Sequence, residues 1–286
     1  MSDSLAQFEA FIRSHPRVVV LTGAGVSTGS GIPDYRGHDG AWKRREPVRY
    51  QEFTASAAAR RRYWARSYIG WPQVESARPN AAHNALARLQ RQHWLQDLIT
   101  QNVDGLHSAA GGRAVDLHGN LARVVCLDCG DLSDRSHLQA RLEARNPDWA
   151  PESVDQRAAP DGDADLARAD YQAFDPVDCE RCGGMLKPDV VFFGEAVPRP
   201  RVAQCMAMLD AADALLVAGS SLMVFSGFRF ARAAHQSGKP VAMINAGRTR
   251  ADDLLSLKNQ QDVGAVLAAL ADRLCPGPSA RRAACG

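Results

Sequence analysis

Four of the seven cysteines form two pairs in which two residues separate the cysteines: Cys126/Cys129 and Cys179/Cys182. Thiolates in two such hairpins can hold one zinc ion tetrahedrally. The long gap between the pairs does not prevent closure, because the entropy cost of a loop grows slowly with its length. Since all four ligands are cysteines, the predicted zinc is structural. Four unrelated buried cysteines or a redox pair are the alternatives.

A glycine-rich loop, GAGVSTGSGIPDYRG at 23–37, follows a short apolar run at 18–21. Glycines directly after a buried strand let the backbone approach a phosphate closely, as in nucleotide-binding parallel sheets. The loop departs from the dinucleotide fingerprint because Thr28 stands where the third glycine is expected. On the local residues alone, a glycine-rich turn without a ligand is an equal alternative.

Alternating apolar strands and helices are the elements that would position these residues. Besides 18–21, the apolar runs lie in DLIT (97–100), AVDLHGN (114–120), ALLVAGSS (214–221) and PVAMINAG (240–247). Helical periodicity falls at about 4–15, 199–212, 226–237 and 264–274. The pattern predicts an α/β fold, a doubly wound Rossmann-like parallel sheet with an inserted small zinc-binding and helical module.

The motif order also predicts domain boundaries. The Rossmann-like domain is expected to comprise 1–41, 79–120 and 187–275, with a helical part of the small module at 42–78, a zinc-binding insertion at 121–186 and a flexible tail at 276–286. The chain has 34 basic and 32 acidic residues, a balance that gives no argument for binding nucleic acid or a membrane surface. With no signal-peptide pattern and no apolar stretch of ~18 residues, we expect a cytoplasmic protein.

The loop at 23–37 resembles the signature loop of the sirtuin (Sir2) family. Further segments match that family in order: QNVDGLH (101–107), LHG (117–119), both cysteine pairs, KPDVVFFGE (187–195), GSSLMVFS (219–226) and INAG (244–247). Two more segments, YWARSYIGWPQ (63–73) and GRTRADDLLSLK (247–258), are most similar to its class II, mitochondrial-type branch. The resemblance implies an NAD-dependent protein lysine deacylase that transfers the acyl group to ADP-ribose, releasing nicotinamide and O-acyl-ADP-ribose.

The resemblance also implies the site residues. His118 would be the general base, a task for which an imidazole suits because its pKa lies near neutral, and Asn102 would assist it. His107 is the rival histidine. The implied NAD contacts are Gly23, Ala24, Gly25, Ser27, Asp34, Tyr35, Arg36, Gln101, Asn102, Val103, Asp104, Gly219, Ser220, Ser221, Asn245, Ala246, Gly247 and Val263.

The acyl-lysine contacts are implied in the same way. Val190, Val191 and Phe192 match the wall of the acyl tunnel, and Gly194 and Glu195 match the backbone that pairs with the substrate. Tyr63 and Arg66 have the spacing of a pair that recognises an acidic acyl group. The arginines around Arg66 could instead be a solvated helix face, so acetyl, lipoyl-like and branched acidic acyl groups stay open.

Other functions use the same motifs. Protein ADP-ribosyl transfer would use the same site, and a non-catalytic NAD sensor would bind the cofactor without turnover. A zinc-ribbon nucleic-acid module is disfavoured by the balanced charge. The expected partners are therefore acyl-lysine proteins, with no nucleic acid and no membrane.

Overall fold

The structure is a computed structural model that describes residues 2–37, 41, 43, 47–151, 153–154, 160–164, 166–167 and 169–276. All of the predicted tail except residue 276, and part of the zinc-binding insertion, lie outside the described residues. Within the described part of the chain, no helix is both long and apolar enough to cross a membrane.

A six-stranded parallel sheet forms the centre of the molecule. Its strands are β1 (Val18–Thr22), β2 (Asp97–Thr100), β3 (Ala114–Asp116), β9 (Ala214–Ala218), β10 (Val241–Ile244) and β11 (Leu257–Asn259). The spatial order is β11-β10-β9-β1-β2-β3, and every neighbouring pair is parallel. This sheet confirms the predicted α/β fold.

Helices cover both faces of the sheet. One core contains α1 (Ser2–Ser14), α4 (Ala81–Arg91) and α9 (Val263–Leu274); the other contains α7 (Arg199–Ala211) and α8 (Phe225–Gln236). On β1, Val18 and Val20 face the first core, while Val19 and Leu21 face the second. Successive strand residues point to opposite faces, so a strand buried on both faces needs a continuous apolar run.

A smaller antiparallel sheet belongs to a third core. Its strands are β4 (Gly119–Cys126), β5 (Leu132–Asp134) and β8 (Leu186–Val190), in the order β5-β4-β8. The helices nearby are α2 (Tyr50–Ala55), α3 (Ala57–Ser76) and α6 (Arg135–Arg145), while the short α5 (Leu106–Ala109) follows β2. The third core combines two of the paired cysteines with aromatic side chains of α3 and of the segment after β8.

Three short features differ from the sequence expectations. The edge strand β11 and the two-residue strands β6 (Ser153–Val154) and β7 (Leu166–Ala167) were not predicted, because so few residues show no periodicity. Strand β8 pairs with β4 and not with the large sheet, although the predicted boundary placed residue 187 in the Rossmann-like domain. The domain boundaries stay a prediction.

Candidate active site

A cavity of about 940 Å³ opens where the parallel strands end. One wall consists of the loops after β1, β2, β9 and β10. The opposite wall contains Tyr63 of α3, Pro160 and Asp161 of the insertion, and the segment after β8. Parallel sheets bind ligands in the crevice at the carboxyl ends of their strands, so this placement is the one expected for a cofactor.

The loops after β1 and β9 interlock through glycine. A Cβ atom on Gly23 would lie 2.6 Å from the Ser220 Cβ, and one on Gly219 would lie 2.6 Å from the Val26 nitrogen. Gly219 also has a positive φ of 63°, which side-chain-bearing residues rarely adopt. The Gly25 N–H donates to the Gly219 carbonyl oxygen at 2.9 Å, closing the contact. Backbone groups therefore line this end of the cavity at close range.

Polar side chains connect the same loops. The Asn102 amide donates to the Gly23 carbonyl at 3.1 Å and to Ser27 Oγ at 2.8 Å. Ser27 Oγ donates in turn to Asp104 Oδ2 at 2.6 Å. Gln101 Nε2 donates to Ser220 Oγ at 2.8 Å. The loop after β2 is thus fixed to the loops on both sides of it.

His118 lines the cavity, and its contacts determine its tautomer. Nδ1 lies 2.9 Å from the Gln101 carbonyl oxygen, which can only accept, so Nδ1 carries the proton. In the neutral ring Nε2 then holds the lone pair, and Ser226 Oγ donates to it from 2.7 Å. A lone pair on Nε2 is what a general base requires.

Burial keeps this imidazole neutral. It lowers the pKa of His118 from 6.5 to about 4, and the positive charges of Arg201 and Arg229 act in the same direction, against the Gln101 hydrogen bond. The rival His107 does not line the cavity: its Nε2 lies 2.9 Å from Thr22 Oγ1 in the interior, and burial lowers its pKa to about 3.

The cavity includes most of the residues expected to contact NAD. These are Gly23, Ala24, Gly25, Ser27, Asp34, Tyr35, Arg36, Gln101, Asn102, Val103, Asp104, Gly219, Ser220, Ser221, Asn245, Ala246 and Val263. Gly247 is the exception, since it does not line the cavity and its carbonyl accepts from Lys258 Nζ at 2.9 Å. Its positive φ of 85° explains the glycine by a turn instead of a ligand.

Aromatic side chains form a further part of the cavity, here called the acyl end. Tyr63 packs against Phe53, Trp64 and Phe192, with ring centroids 5.4, 5.3 and 5.2 Å away. The buried Tyr63 hydroxyl has no hydrogen-bond partner among the described residues. Burial raises its pKa well above 10, and the nearby Asp161 and Asp163 charges add to the rise. This end is therefore apolar, with carboxylates close by.

Arg66 does not line the cavity, contrary to the expectation of a Tyr63/Arg66 pair. Its Nε lies 3.0 Å from Asp163 Oδ1 and donates to the Ala164 carbonyl at 2.7 Å. Both partners belong to the insertion, which also approaches α3 at Gly70, where a Cβ would lie 2.3 Å from the Gly162 carbonyl oxygen. The guanidinium fastens the insertion to α3 and is engaged by a buried carboxylate.

The remaining substrate candidates lie in the segment from the end of β8 onwards. Val190, Val191, Phe192, Gly194 and Glu195 all line the cavity. Glu195 Oε2 accepts from the Phe192 N–H at 2.8 Å and lies 3.2 Å from Lys187 Nζ, a buried side chain whose pKa burial lowers. This ion pair holds the segment in a tight turn.

The cavity also includes residues that were absent from the sequence-based set, among them Ser226, Arg229 and Asp161. Ser226 ends the quoted motif GSSLMVFS, yet nothing in the motif indicates that its hydroxyl meets His118. Arg229 lies one helical turn after Ser226, so helix periodicity could have placed the two on one face. Asp161 lies in the insertion, where the sequence has no periodicity.

The four paired cysteines converge as predicted. Their sulfur atoms all lie within 4.8 Å of one another, with Cys126 Sγ 3.5 Å from Cys182 Sγ and Cys129 Sγ 3.8 Å from Cys179 Sγ. Zinc–sulfur bonds of about 2.3 Å in a tetrahedron place sulfur atoms about 3.8 Å apart. The cluster fits one structural zinc ion.

Comparison with known proteins agrees with this geometry. The Sir2 family model matches residues 23–226. A relative from Xanthomonas campestris pv. campestris (strain 8004), named NAD-dependent protein deacetylase, is 55% identical over 263 residues, which is 92% of this chain and 89% of the relative.

A relative from Bordetella bronchiseptica with the same name is 54% identical over 269 residues, covering 94% of this chain and 97% of the relative. Among solved structures, one described as "Sir2-p53 peptide-NAD+" matches with a TM-score of 0.73 and 27% identity, covering 94% of this chain and 96% of the other. These matches extend over both ends of the cavity.

Proposed function

This chain belongs to the Sir2 family, and on that premise we propose that it is an NAD-dependent protein lysine deacylase, which moves the acyl group from lysine to ADP-ribose and releases nicotinamide and O-acyl-ADP-ribose. The observation that carries the proposal is the position of His118. A neutral imidazole, with its lone pair on Nε2, lies in one cavity with the glycine-lined loops and the apolar acyl end.

The cofactor end suits a dinucleotide. When bound, NAD would supply the ribose carbon that receives the acyl oxygen and the nicotinamide that leaves. Gly23, Gly25 and Gly219 would bring backbone groups close to the phosphates, and Ser220 and Ser221 would bind phosphate and ribose oxygens. Asn245, Ala246 and Val263 would contact the adenosine. Asp34 and Arg36 would contact the nicotinamide and a phosphate respectively.

His118 would accept a proton from the substrate, and Asn102 would position the ribose. With its pKa near 4, His118 is unprotonated at neutral pH and ready to accept a proton from a ribose hydroxyl at Nε2. Ser226 would give up its hydrogen bond as the ribose approaches. Asn102 is held by Gly23 and Ser27, so its amide would orient the nicotinamide-side ribose without adding charge.

The acyl end favours a neutral acyl group. Tyr63 and Phe192 offer an apolar surface, and the one arginine expected to recognise a carboxylate is engaged by Asp163. An acyl group with its own carboxylate would lose hydration against these aromatic rings, which costs free energy. We therefore propose acetyl and similar uncharged acyl groups as substrates, carried on protein lysines.

The branch of the family, the cellular location and the excluded partners are proposed from the sequence alone. The insertion between the cysteine pairs and the segments 63–73 and 247–258 support membership of the class II branch. The cytoplasmic location and the absence of nucleic-acid and membrane partners stay predictions.

The test is product analysis. Purified protein is incubated with NAD and peptides carrying acetyl-, propionyl-, succinyl- or lipoyl-lysine, and products are read by mass spectrometry. We expect acetyl- and propionyl-lysine to be deacylated only with NAD, with O-acyl-ADP-ribose formed in equal amount, and succinyl-lysine to be turned over at least ~10-fold more slowly. ADP-ribosylated protein without free lysine would contradict the proposal.

A further inference from the structure

Two adjacent apolar side chains are exposed at the mouth of the cavity. Phe225 at the start of α8 is 44% exposed, and Val224 before it is 38% exposed. Both line the cavity. Among the described residues the only other large apolar side chain exposed to this degree is Leu132, in β5. Two of the three exposed large apolar side chains in the described part of the chain are therefore neighbours at the rim of the cavity, and exposed apolar patches mark interaction sites.

Three arginines surround the exposed ring. The guanidinium carbons of Arg229, Arg232 and Arg250 lie 5.4, 5.1 and 5.9 Å from the Phe225 centroid. These distances fall within the range of cation–π contact. Arg229 and Arg232 are three residues apart on α8 and so lie on one face of the helix, whereas Arg250 comes from the loop after β10. Two separate elements thus concentrate positive charge on one aromatic side chain.

No acidic residue in the described part of the chain pairs with this cluster. Among the described residues, none of the three guanidiniums forms an ion pair, although many other arginines do, including Arg17 and Arg123. Arg229 lines the cavity, and its buried Nε has no hydrogen-bond partner in the described part of the chain. The whole chain has only two more basic than acidic residues, so the cluster is a local concentration. Guanidinium groups in this state are suited to bind carboxylates.

We infer that the patch formed by Val224, Phe225, Arg229, Arg232 and Arg250 binds acidic residues that flank the acyl-lysine of the protein substrate. The inference rests on the proposed function. Val224 and Phe225 border the cavity that takes the acyl-lysine, and an extended substrate advances about 3.3 Å per residue. Carboxylates a few residues from the lysine therefore come within reach of the arginines. The enzyme then selects acyl-lysines in acidic sequences.

The experiment compares acetyl-lysine peptides that differ only in the flanking residues, which are Glu, Gln or Lys. We expect kcat/KM for the Glu peptide to exceed that of the Gln peptide about 5-fold at low salt, mainly through KM, because rim charges act on encounter and weak binding. The ratio should approach one at about 1 M salt, where the Debye length is about 3 Å. The Lys peptide should be the poorest of the three.

Arg232→Glu tests the patch without touching the cavity, since Arg232 is exposed and does not line it. The Glu-to-Gln ratio should fall below one in this variant, while kcat for the Gln peptide stays unchanged. Arg91→Glu is the matched control: it has the same charge change at an exposed position on α4, which packs on the opposite face of the large sheet. It should keep the wild-type ratio.

A Glu-to-Gln ratio of one in the wild type overturns the inference and leaves the proposed function standing, provided that the Gln peptide is deacylated. If no peptide is deacylated, the proposed function fails, and the inference is then decided by fluorescence anisotropy of the same labelled peptides. A labelled single-stranded oligonucleotide is the third probe. If Arg232→Glu abolishes its binding and leaves the peptide ratio intact, the patch belongs to a nucleic acid and the inference is wrong.

Discussion

The two ends of the cavity are formed by different structural elements: backbone loops at the cofactor end and aromatic side chains at the acyl end. At the cofactor end, Gly23 and Gly219 bring the backbone of two loops together on top of a sheet with an apolar core on each face. At the acyl end, Tyr63 and Phe192 belong to a core that also contains the zinc-cluster cysteines Cys126 and Cys179. The first end therefore rests on the large sheet, whereas the second shares its core with the cysteine cluster.

This difference separates binding of the cofactor from selection of the acyl group. Backbone loops on a rigid sheet recognise the phosphates and ribose that every reaction cycle shares. Side chains from α3, the insertion and the segment after β8 meet the part of the substrate that varies. His118 lies where the two meet, with Gln101 on one side and Ser226 on the other. Changes at each end should therefore have different consequences.

Removal of zinc should produce the largest effect, confined at first to the acyl end. Structural zinc sites contribute on the order of 10 kcal/mol to the folding of small modules, so chelation should disorder the third core. We expect deacylation to fall at least ~100-fold, while NAD binding weakens less than ~10-fold because the glycine loops rest on the sheet. Near-ultraviolet circular dichroism would follow Trp64 and Trp71, which lie in that core.

A matched pair of variants separates zinc from cysteine chemistry. Cys129→Ala removes a ligand of the cluster, whereas Cys275→Ala removes a thiol in the core on the α9 side of the sheet. The first should reproduce chelation and the second should not. Equal loss of NAD binding and deacylation on chelation would show that the two ends are not separable.

Replacement of His118 by Ala should come next in size. Loss of a general base typically costs 10²–10⁴-fold in rate, so kcat should fall about that much while NAD affinity changes less than ~3-fold. His107→Asn is the comparison, because His107 is buried beside Thr22 and outside the cavity. That variant should lose stability, by about 1–3 kcal/mol, and keep most of its kcat. A large loss of kcat in His107→Asn with intact folding would reassign the base.

The cofactor end was more predictable from sequence than the acyl end, for a physical reason. Gly23, Gly25 and Gly219 follow apolar strands, and a buried parallel strand followed by glycine admits few structures. The cysteine pairs are equally direct, because zinc restricts both residue type and spacing. Backbone constraints of this kind are local, and they can be recognised in a single segment.

The acyl end depends on contacts between distant segments. Arg66 and Asp163 are separated by almost a hundred residues, and no spacing rule indicates that a buried carboxylate will engage that guanidinium. Tyr63 lines the cavity and Arg66 does not, a difference that the spacing of the two residues does not indicate. The meeting of His118 with Ser226 has the same origin, since His118 lies between β3 and β4 and Ser226 lies in α8, 108 residues later. Side-chain partners across the fold are the part that sequence patterns do not determine.

A smaller effect should follow when glycine at the cofactor end gains a methyl group. In Gly23→Ala the new Cβ would lie 2.6 Å from the Ser220 Cβ, so one loop has to move. Overpacking of this kind costs about 1–3 kcal/mol, and we expect NAD affinity to fall about 10-fold. Gly264→Ala in α9 is the control, because its nearest neighbour is the Asp262 carboxylate oxygen at 3.3 Å and a helix favours Ala.

Calorimetric titration with NAD measures the difference between these two variants. The acyl selectivity set at the acyl end, measured as the ratio of acetyl- to succinyl-lysine turnover, should be the same in Gly23→Ala as in the wild type. A changed ratio would mean that the glycine loops also shape the acyl end.

The smallest effect should follow from Ser226→Ala, beside His118, where the two ends of the cavity meet. Ser226 donates to the lone pair on Nε2, which stabilises neutral His118, so its removal should raise the histidine pKa from about 4 towards 6.5. A neutral hydrogen bond of about 1 kcal/mol corresponds to somewhat less than one pH unit. The acid limb of the kcat/KM profile, where activity falls as His118 gains a proton, should shift upward by that amount. Ser226→Thr keeps the hydroxyl and should restore the wild-type limb, whereas an unshifted limb in Ser226→Ala would make the contact merely structural.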